Sequence, residues 1–352
     1  MNRKSGIFAK WLFVVFLLSF SQGFTALANV PDDRYMLIPG GDAIGINIQT
    51  NGLIVVDTYV VTTPEGEGAP ARDAGLRKGD IILEAEGQKL GQLDDYKEAI
   101  LNCKNEPLIL TIDRDGNTST VEVLPCKNSN GELTTGLYLR NKIAGIGTLT
   151  YIDPASNKYG ALGHEIIDQD TKQIVDVADG KIIGSNVTSV RKAEAGTPGE
   201  KIADISFDEE LGTIEKNNEY GIYGIVNPEN ITTKKMLPIA YQDEIKLGSA
   251  QICTVLNGTD IETFDIEIIE INPQSNKEVK GLKYVVTDAK LIDKTGGIVQ
   301  GMSGSPIIQD GLIIGAVTHV LVHDSTLGYG VFIEWMLEES GINHQNINTK
   351  AA

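Results

Sequence analysis

The stretch TGGIVQGMSGSPIIQDGLIIGAVTH, residues 295–319, carries the strongest structural signal in the chain. It places Ser303 in a glycine-rich turn, and two β-type runs joined at residues 309–311 follow that turn. The glycines at 301 and 304 let the backbone turn sharply, which exposes the hydroxyl of Ser303. In such a turn two amides converge on one oxygen atom, so we predict an oxyanion hole formed by the backbone of Gly301 and Ser303.

The hexapeptide GMSGSP, residues 301–306, resembles the G-D-S-G-G-P turn of chymotrypsin-like peptidases. The alternative, a G-x-S-x-G elbow of an α/β-hydrolase, would require glycine at position 305 and a helix after the nucleophile. The chain has Ser305 at that position, and β-type runs follow. The resemblance therefore implies that Ser303 is the nucleophile, with Ser305 as the less favoured alternative.

A serine hydroxyl needs a neighbouring base at neutral pH, and the chain contains 4 histidines. His164 lies in YGALGHEIID, a glycine-flanked turn ahead of the serine, which agrees with the chymotrypsin-like order of histidine first and serine last. His319 follows the serine in an apolar β run, where a histidine more often fills a core or pocket position. We therefore predict that His164 is the general base.

The acidic partner of the histidine has three candidates. Asp288 ends a β run in YVVTDAKLIDKTGG shortly before the serine, Asp204 follows the histidine, and Asp168 lies beside it in sequence. The chain is acidic, and spacing alone does not choose among the three.

Short alternating segments dominate residues 133–342, among them KIIGSNVTSV and FDIEIIEIN. Only GVFIEWMLEES, near the end, has helical spacing of its apolar residues. We predict a mainly β fold, in which a PDZ domain precedes a chymotrypsin-like double β-barrel serine peptidase domain.

The PDZ prediction rests on APARDAGLRKGDIILEAEGQKL, residues 69–90, which resembles the central PDZ signature of bacterial peptidases. Upstream, LIPGGDAIGI, residues 37–46, is similar to the PDZ loop whose amides bind a terminal carboxylate before a strand that pairs with the ligand. This similarity implies that the peptide-binding residues are Gly40, Gly41, Ile44, Gly45 and Ile46.

Charge and the N-terminal sequence restrict where the protein acts. A net charge of −18 argues against nucleic-acid binding, which requires a basic surface. Basic residues, an apolar run at 11–18 and the Ala26-Leu27-Ala28 site have the pattern of an export signal. We expect an extracytoplasmic protein that needs no metal and no cofactor.

The predicted boundaries follow from these segments and from the polar run that separates the two modules. They are an export signal (1–28), an N-terminal segment (29–34), a PDZ domain (35–127), a linker (128–132), a serine peptidase domain (133–342) and a C-terminal tail (343–352).

Together, the export signal, the PDZ module and the strings GALGHEI, VTDAKL and TGGIVQGMSGSPI resemble the stage IV sporulation protein B peptidase family. The resemblance implies a triad of His164, Asp288 and Ser303. It further implies action between the membranes of mother cell and forespore. There the protein would cleave itself and a membrane-tethered regulatory protein, and so trigger intramembrane proteolysis of a sporulation sigma factor precursor.

Regulation would follow from a peptide segment in the PDZ groove, either the chain's own N-terminal region or part of a substrate. The alternative function is a non-catalytic PDZ scaffold whose degenerate peptidase domain only binds partners.

Overall fold

Two sheet systems organise the chain in the computed structural model, which describes residues 34–104, 106–231 and 234–344. The first is a 13-stranded sheet whose central order is β15-β16-β12-β11-β2-β5-β7-β8. The second is a closed six-stranded barrel in the order β18-β19-β20-β23-β22-β21. The strands are β1 (Met36–Pro39), β2 (Ala43–Thr58), β3 (Val61–Thr63), β4 (Gly66–Gly68), β5 (Ile81–Ala85), β6 (Gln88–Lys89), β7 (Leu108–Arg114), β8 (Asn117–Val123), β9 (Cys126–Lys127), β10 (Leu133–Thr134), β11 (Leu137–Ile152), β12 (Lys158–Ala161), β13 (Val177–Arg191), β14 (Glu200–Thr213), β15 (Lys216–Asn218), β16 (Gly221–Ile225), β17 (Leu237–Pro238), β18 (Gly248–Val255), β19 (Ile261–Ile271), β20 (Leu282–Val286), β21 (Pro306–Gln309), β22 (Leu312–Leu321) and β23 (Asp324–Phe332).

Helices are few. They are α1 (Pro70–Asp73), α2 (Leu93–Asn102), α3 (Ala289–Thr295) and α4 (Ile333–Glu339), with two 3-10 turns at Pro228–Asn230 and Gln242–Glu244. The predicted fold class, mainly β with a PDZ domain and a barrel-containing peptidase domain, is confirmed. The predicted C-terminal helix is present as α4, whose Met336 and Leu337 are fully buried.

Three large apolar cores and one small cluster around Val187 lie in the described parts of these sheets. The PDZ core packs α2 through Tyr96 and Ile100 onto β5 and β7. A second core fills the large sheet around Ile44 and Tyr159, and a third fills the closed barrel around Phe264. Strands such as β7 and β19 bury every second side chain, as period-2 alternation predicts, whereas β16 and most of β22 are buried on both faces.

The predicted carboxylate loop belongs to the peptidase half, which corrects the expectation for Gly40, Gly41, Ile44, Gly45 and Ile46. The amides of Gly40 and Gly41 donate to the carbonyls of Thr150 and Leu149 on β11, so they are not free to bind a ligand. The strand that follows is paired on both edges, because Ile44 to Ile46 face β11 on one side and β13 on the other. A peptide therefore cannot add to this strand.

The strand β2 belongs to both halves of the chain. It continues without interruption for 16 residues, across Asn51 and Gly52. Its first part packs in the peptidase core, and its second part, with Leu53 and Val55, packs in the PDZ core. Residues 36–48 consequently lie outside the PDZ half, although the predicted PDZ domain began at residue 35. The predicted export signal lies outside the described residues.

Candidate active site

The serine turn lies between α3 and β21 and needs glycine at two positions. Gly301 and Gly304 both have a φ of +91°, a left-handed conformation that L side chains rarely adopt. A Cβ atom at Gly304 would lie 2.1 Å from the carbonyl oxygen of Thr148. The turn thus packs directly against β11. The Thr148 amide also donates a hydrogen bond to the Ser303 carbonyl over 3.0 Å.

Two carbonyls fix the direction of the amides in this turn. The Met302 carbonyl accepts the amide of Ser305 at 2.9 Å and its hydroxyl at 2.7 Å. The Gln300 carbonyl accepts the amide of Lys201 at 2.9 Å. In a trans peptide the N–H points opposite to the C=O, so the amides of Ser303 and Gly301 point away from these partners. Neither amide has an acceptor among the described residues, which leaves both able to bind an anionic oxygen.

The two serines of the turn have different surroundings. Ser305 is fully buried, and its hydroxyl is committed to the Met302 carbonyl. Ser303 is only partly buried, and its Oγ donates to the Thr318 carbonyl over 3.1 Å. Of the two candidate nucleophiles, Ser303 alone combines exposure with a weakly held hydroxyl.

His164 follows a turn at Leu162 and Gly163, both of which have positive φ. Its Nδ1 lies 2.7 Å from the Glu165 carbonyl oxygen. A carbonyl only accepts hydrogen bonds, so Nδ1 carries the proton and Nε2 of the neutral ring is left as an acceptor. This is the tautomer that a general base for a serine hydroxyl requires.

The histidine turn and the serine turn meet the same segment of β22. A Cβ atom at Gly163 would lie 2.9 Å from the Thr318 side chain, and Ser303 donates to the Thr318 carbonyl. The structure therefore places the His164 turn and the Ser303 turn against the same residue of β22. No hydrogen bond joins their side chains in the described part of the chain.

His319, expected to fill a core or pocket position, instead lies beside His164, with ring centroids 5.5 Å apart. The pKa of His319 lies below its ordinary value of 6.5, mainly because the ring loses part of its hydration and to a smaller extent because His164 is near. The residue as a whole remains exposed to solvent. The local sequence has no signal of this proximity, because it arises from the fold that packs the turn before His164 against β22.

None of the three candidate aspartates contacts His164 among the described residues. Asp288 caps α3, where its Oδ1 accepts the Leu291 amide at 2.9 Å. Asp168 is buried and pairs with Arg140 at 2.6 Å, and Asp204 is exposed on β14. The partner of Nδ1 is the Glu165 carbonyl, and a triad role for Asp288 stays a prediction.

A free strand edge marks a second candidate site, in the PDZ half. Residues 137–140 of β11 pair with β2 on one edge, and no strand in the described ranges pairs with the other. Leu137 and Leu139 pack against the PDZ core, and α2 is held beside this segment by the bond from Tyr96 to Thr135 at 2.9 Å. A strand edge beside a helix is the geometry that PDZ domains use for peptides.

Residues 34–344, apart from 105, 232 and 233, contain no group of three His, Cys, Asp or Glu side chains able to hold a metal ion. Within those residues no helix combines the length and apolar character needed to cross a bilayer.

Two family models match the chain. One, described as SpoIVB peptidase S55, matches residues 131–337, and one described as PDZ domain matches residues 61–114. A zinc metalloprotease of Staphylococcus aureus (strain N315) is 38% identical over 58 residues, which are 16% of this chain and 14% of that protein. One from Clostridium perfringens (strain 13 / Type A) is 30% identical over 69 residues, 20% of this chain and 21% of that protein. The chain thus spans only a small part of these curated relatives.

Solved protease structures also align with the chain. The inactive form of the Rv3671c protease gives a TM-score of 0.32 at 14% identity, over 56% of this chain and 84% of that chain. The active form of the same protease from M. tuberculosis gives 0.29 at 14% identity, over 57% and 76%.

Proposed function

Since the chain belongs to the SpoIVB peptidase S55 family, we propose that it is a serine endopeptidase with Ser303 as nucleophile and His164 as general base. The observation that carries the proposal is the serine turn itself. Its two unpaired amides flank a partly exposed hydroxyl, and the turn meets Thr318 together with the turn of a histidine whose Nε2 is free to accept a proton.

The chemistry uses only groups of this chain. His164 Nε2 takes the proton of Ser303 as Oγ attacks the carbonyl carbon of the scissile bond. The amides of Gly301 and Ser303 donate to the oxyanion that forms, and His164 then returns its proton to the leaving amine. Water cleaves the acyl-enzyme by the same steps in reverse. For the first step, Ser303 Oγ must rotate from the Thr318 carbonyl towards His164.

Asp288 is the proposed third member, on the strength of the family resemblance around VTDAKL. It would orient the His164 ring and stabilise the imidazolium. To do so its carboxylate must leave the Leu291 amide and replace the Glu165 carbonyl at Nδ1. The arrangement described above would then be a resting one.

The biological role that we propose follows the family. The protein would act outside the cytoplasm, between the mother-cell and forespore membranes, where it would cleave itself and a membrane-tethered regulatory protein during endospore formation. That cut would trigger intramembrane proteolysis of a sporulation sigma factor precursor. A net charge of −18 and the export-type N-terminal sequence support an extracytoplasmic protein partner over a nucleic acid.

For the peptide partner, the free edge of residues 137–140 beside α2 is the groove that we propose, in place of the Gly40 to Ile46 segment. A segment of the chain's own N-terminal region or of the substrate would add there as a strand. Main-chain hydrogen bonds would supply affinity, and Leu137 and Leu139 would line a pocket for one side chain.

The test compares the wild-type chain with Ser303→Ala, His164→Ala, Ser305→Ala and His319→Ala. Self-cleavage is followed by mass analysis, and a fluorophosphonate reports on a reactive serine. Loss of both signals in the first two variants, with labelling retained in Ser305→Ala, is expected. Unchanged cutting by pure Ser303→Ala protein would refute the nucleophile. A folded wild type that neither cuts nor labels would favour the binding-only scaffold.

A further inference from the structure

A lysine lies behind the serine turn in a place where a charge is unfavourable. Lys201, on β14, is 4% exposed, and its Nζ donates to Thr254 Oγ1 at 2.7 Å and lies 3.4 Å from Thr148 Oγ1. No carboxylate of the described residues forms an ion pair with it. Burial alone lowers its pKa from the ordinary 10.5 to about 7, because the ammonium form loses its hydration. A group that opposes folding in this way often serves a functional site.

The lysine contacts the turn through both main chain and side chain. Its amide donates to the Gln300 carbonyl over 2.9 Å. A Cβ atom at Gly301 would lie 3.2 Å from both Cβ and Cδ of Lys201, so the alkyl chain of the lysine supports this glycine from behind. The position of Gly301 is thus set by Lys201 on one side.

A hydroxyl extends the contact from the amine to the next peptide. Thr148 Oγ1 donates its single proton to the Gly301 carbonyl at 2.7 Å. The same oxygen can therefore only accept from Lys201 Nζ. Thr148 and Thr254 are both fully buried, so water does not compete for these bonds. The amine, the hydroxyl and the Gly301 carbonyl form a continuous chain of hydrogen bonds.

The two carbonyls that flank the Gly301 Cα are both held on the side of Lys201. The Gln300 carbonyl accepts the Lys201 amide, and the Gly301 carbonyl accepts the Thr148 hydroxyl. The trans peptide then directs the Gly301 N–H to the opposite side, where it has no partner in the described structure. We propose that Lys201 is a positioning residue: it holds the peptide before the Gly301 Cα through its own amide and the peptide after it through Thr148, and so fixes the turn that presents the Gly301 amide to the oxyanion. This inference rests on the proposed function, since the oxyanion arises only if Ser303 attacks a carbonyl.

The first arm of the test is kinetic and compares Lys201→Met, Thr148→Val, the double variant and the control Thr254→Val. Preorganised donors act mainly in the transition state, so kcat should fall about 10- to 100-fold in Lys201→Met, while KM changes by less than about twofold. Because the two residues act in series, the double variant should be no slower than the slower single variant. Thr254→Val removes a contact of Nζ that does not reach the turn, and its effect should be much smaller.

The second arm does not depend on turnover. Hydrogen–deuterium exchange of the peptide that covers residues 296–306 should quicken in Lys201→Met and in Thr148→Val relative to Thr254→Val and wild type. Thr148→Val keeps the shape of the side chain and so remains informative if Lys201→Met folds poorly.

Three results would overturn the inference: an unchanged kcat in folded Lys201→Met, losses that multiply in the double variant, or unchanged exchange of the turn. A wild type that is as inactive as Ser303→Ala would instead refute the proposed function, and the exchange arm would still decide whether Lys201 positions the turn.

Discussion

Replacing Lys201 by methionine should stabilise the fold most at and below neutral pH, and the gain should shrink as the pH rises. Methionine has nearly the length of the lysine side chain but no amine to desolvate. The buried Nζ has two threonine hydroxyls and no carboxylate as partners in the described residues, so nothing repays its lost hydration when charged. The pH dependence isolates this single ionisation.

The expected magnitude follows from the pKa. Burial lowers the pKa of Lys201 from 10.5 to about 7, and a tenfold change in a dissociation constant corresponds to about 1.4 kcal/mol. Below pH 7 folded and unfolded chains both bind the proton, and the ionisation opposes folding by at most about 5 kcal/mol. Between pH 7 and 10.5 only the unfolded chain binds it, so wild-type stability should rise relative to the variant by up to about 1.4 kcal/mol per pH unit.

Urea unfolding of both proteins, followed by circular dichroism between about pH 6 and about pH 9, measures this difference. The hydrogen bonds lost with the amine change the offset between the two curves but not its slope with pH. Lys89→Met, at an exposed lysine of β6, controls for lysine loss in general. A difference that stays flat, or that grows with pH, would refute a buried amine of lowered pKa.

Three further outcomes test the local geometry. Gly304→Ala should lose about 1 to 3 kcal/mol of stability, because the new Cβ meets the Thr148 carbonyl. The control Gly311→Ala, also at positive φ but in open space, should lose less when the two are compared by thermal unfolding. Asp288→Ala should lose about 1 kcal/mol through the cap of α3 in urea titrations, while Asp288→Asn should lower turnover by about 10⁴-fold if the triad proposal holds, and normal turnover would contradict it. Asp168→Asn should cost about 2 kcal/mol by weakening its bond to Arg140 and leave turnover per folded molecule unchanged.

Local signals were sufficient for the serine turn and for the hairpin that follows it. The glycines at 301 and 304 and the turn at Asp310-Gly311 act within a few residues, and the structure has both the turn and the β21–β22 hairpin that follows it. The α2 helix is similarly local, since its apolar spacing matches the helix that forms.

Which strands pair with one another across long stretches of sequence was not predictable from such local signals. The alternation in residues 43–50 is the same whether that strand pairs inside a PDZ domain or with β11 and β13, about 100 residues or more away in sequence. The sequence around Lys201 does not indicate its role either. Alternation can predict that its side chain points inward, but not that Thr148, Thr254 and the serine turn surround it. The contacts of Asp288 likewise depend on the fold.

The continuous backbone of β11 gives the molecule a mechanical property. One end of this strand, residues 137–140, is the unpaired edge in the PDZ half, and the other end carries Thr148, which holds the Gly301 carbonyl. The two places are about 30 Å apart along a strand, which resists stretching because its backbone is already extended. A displacement of the edge is therefore transmitted along the strand, which can bend only at the register irregularities between Tyr138 and Leu139 and between Arg140 and Lys142. Removing residues 61–114 as a separate domain would leave β11 behind, although Leu137 and Leu139 of that strand pack against the PDZ core. The two halves are therefore not independent modules.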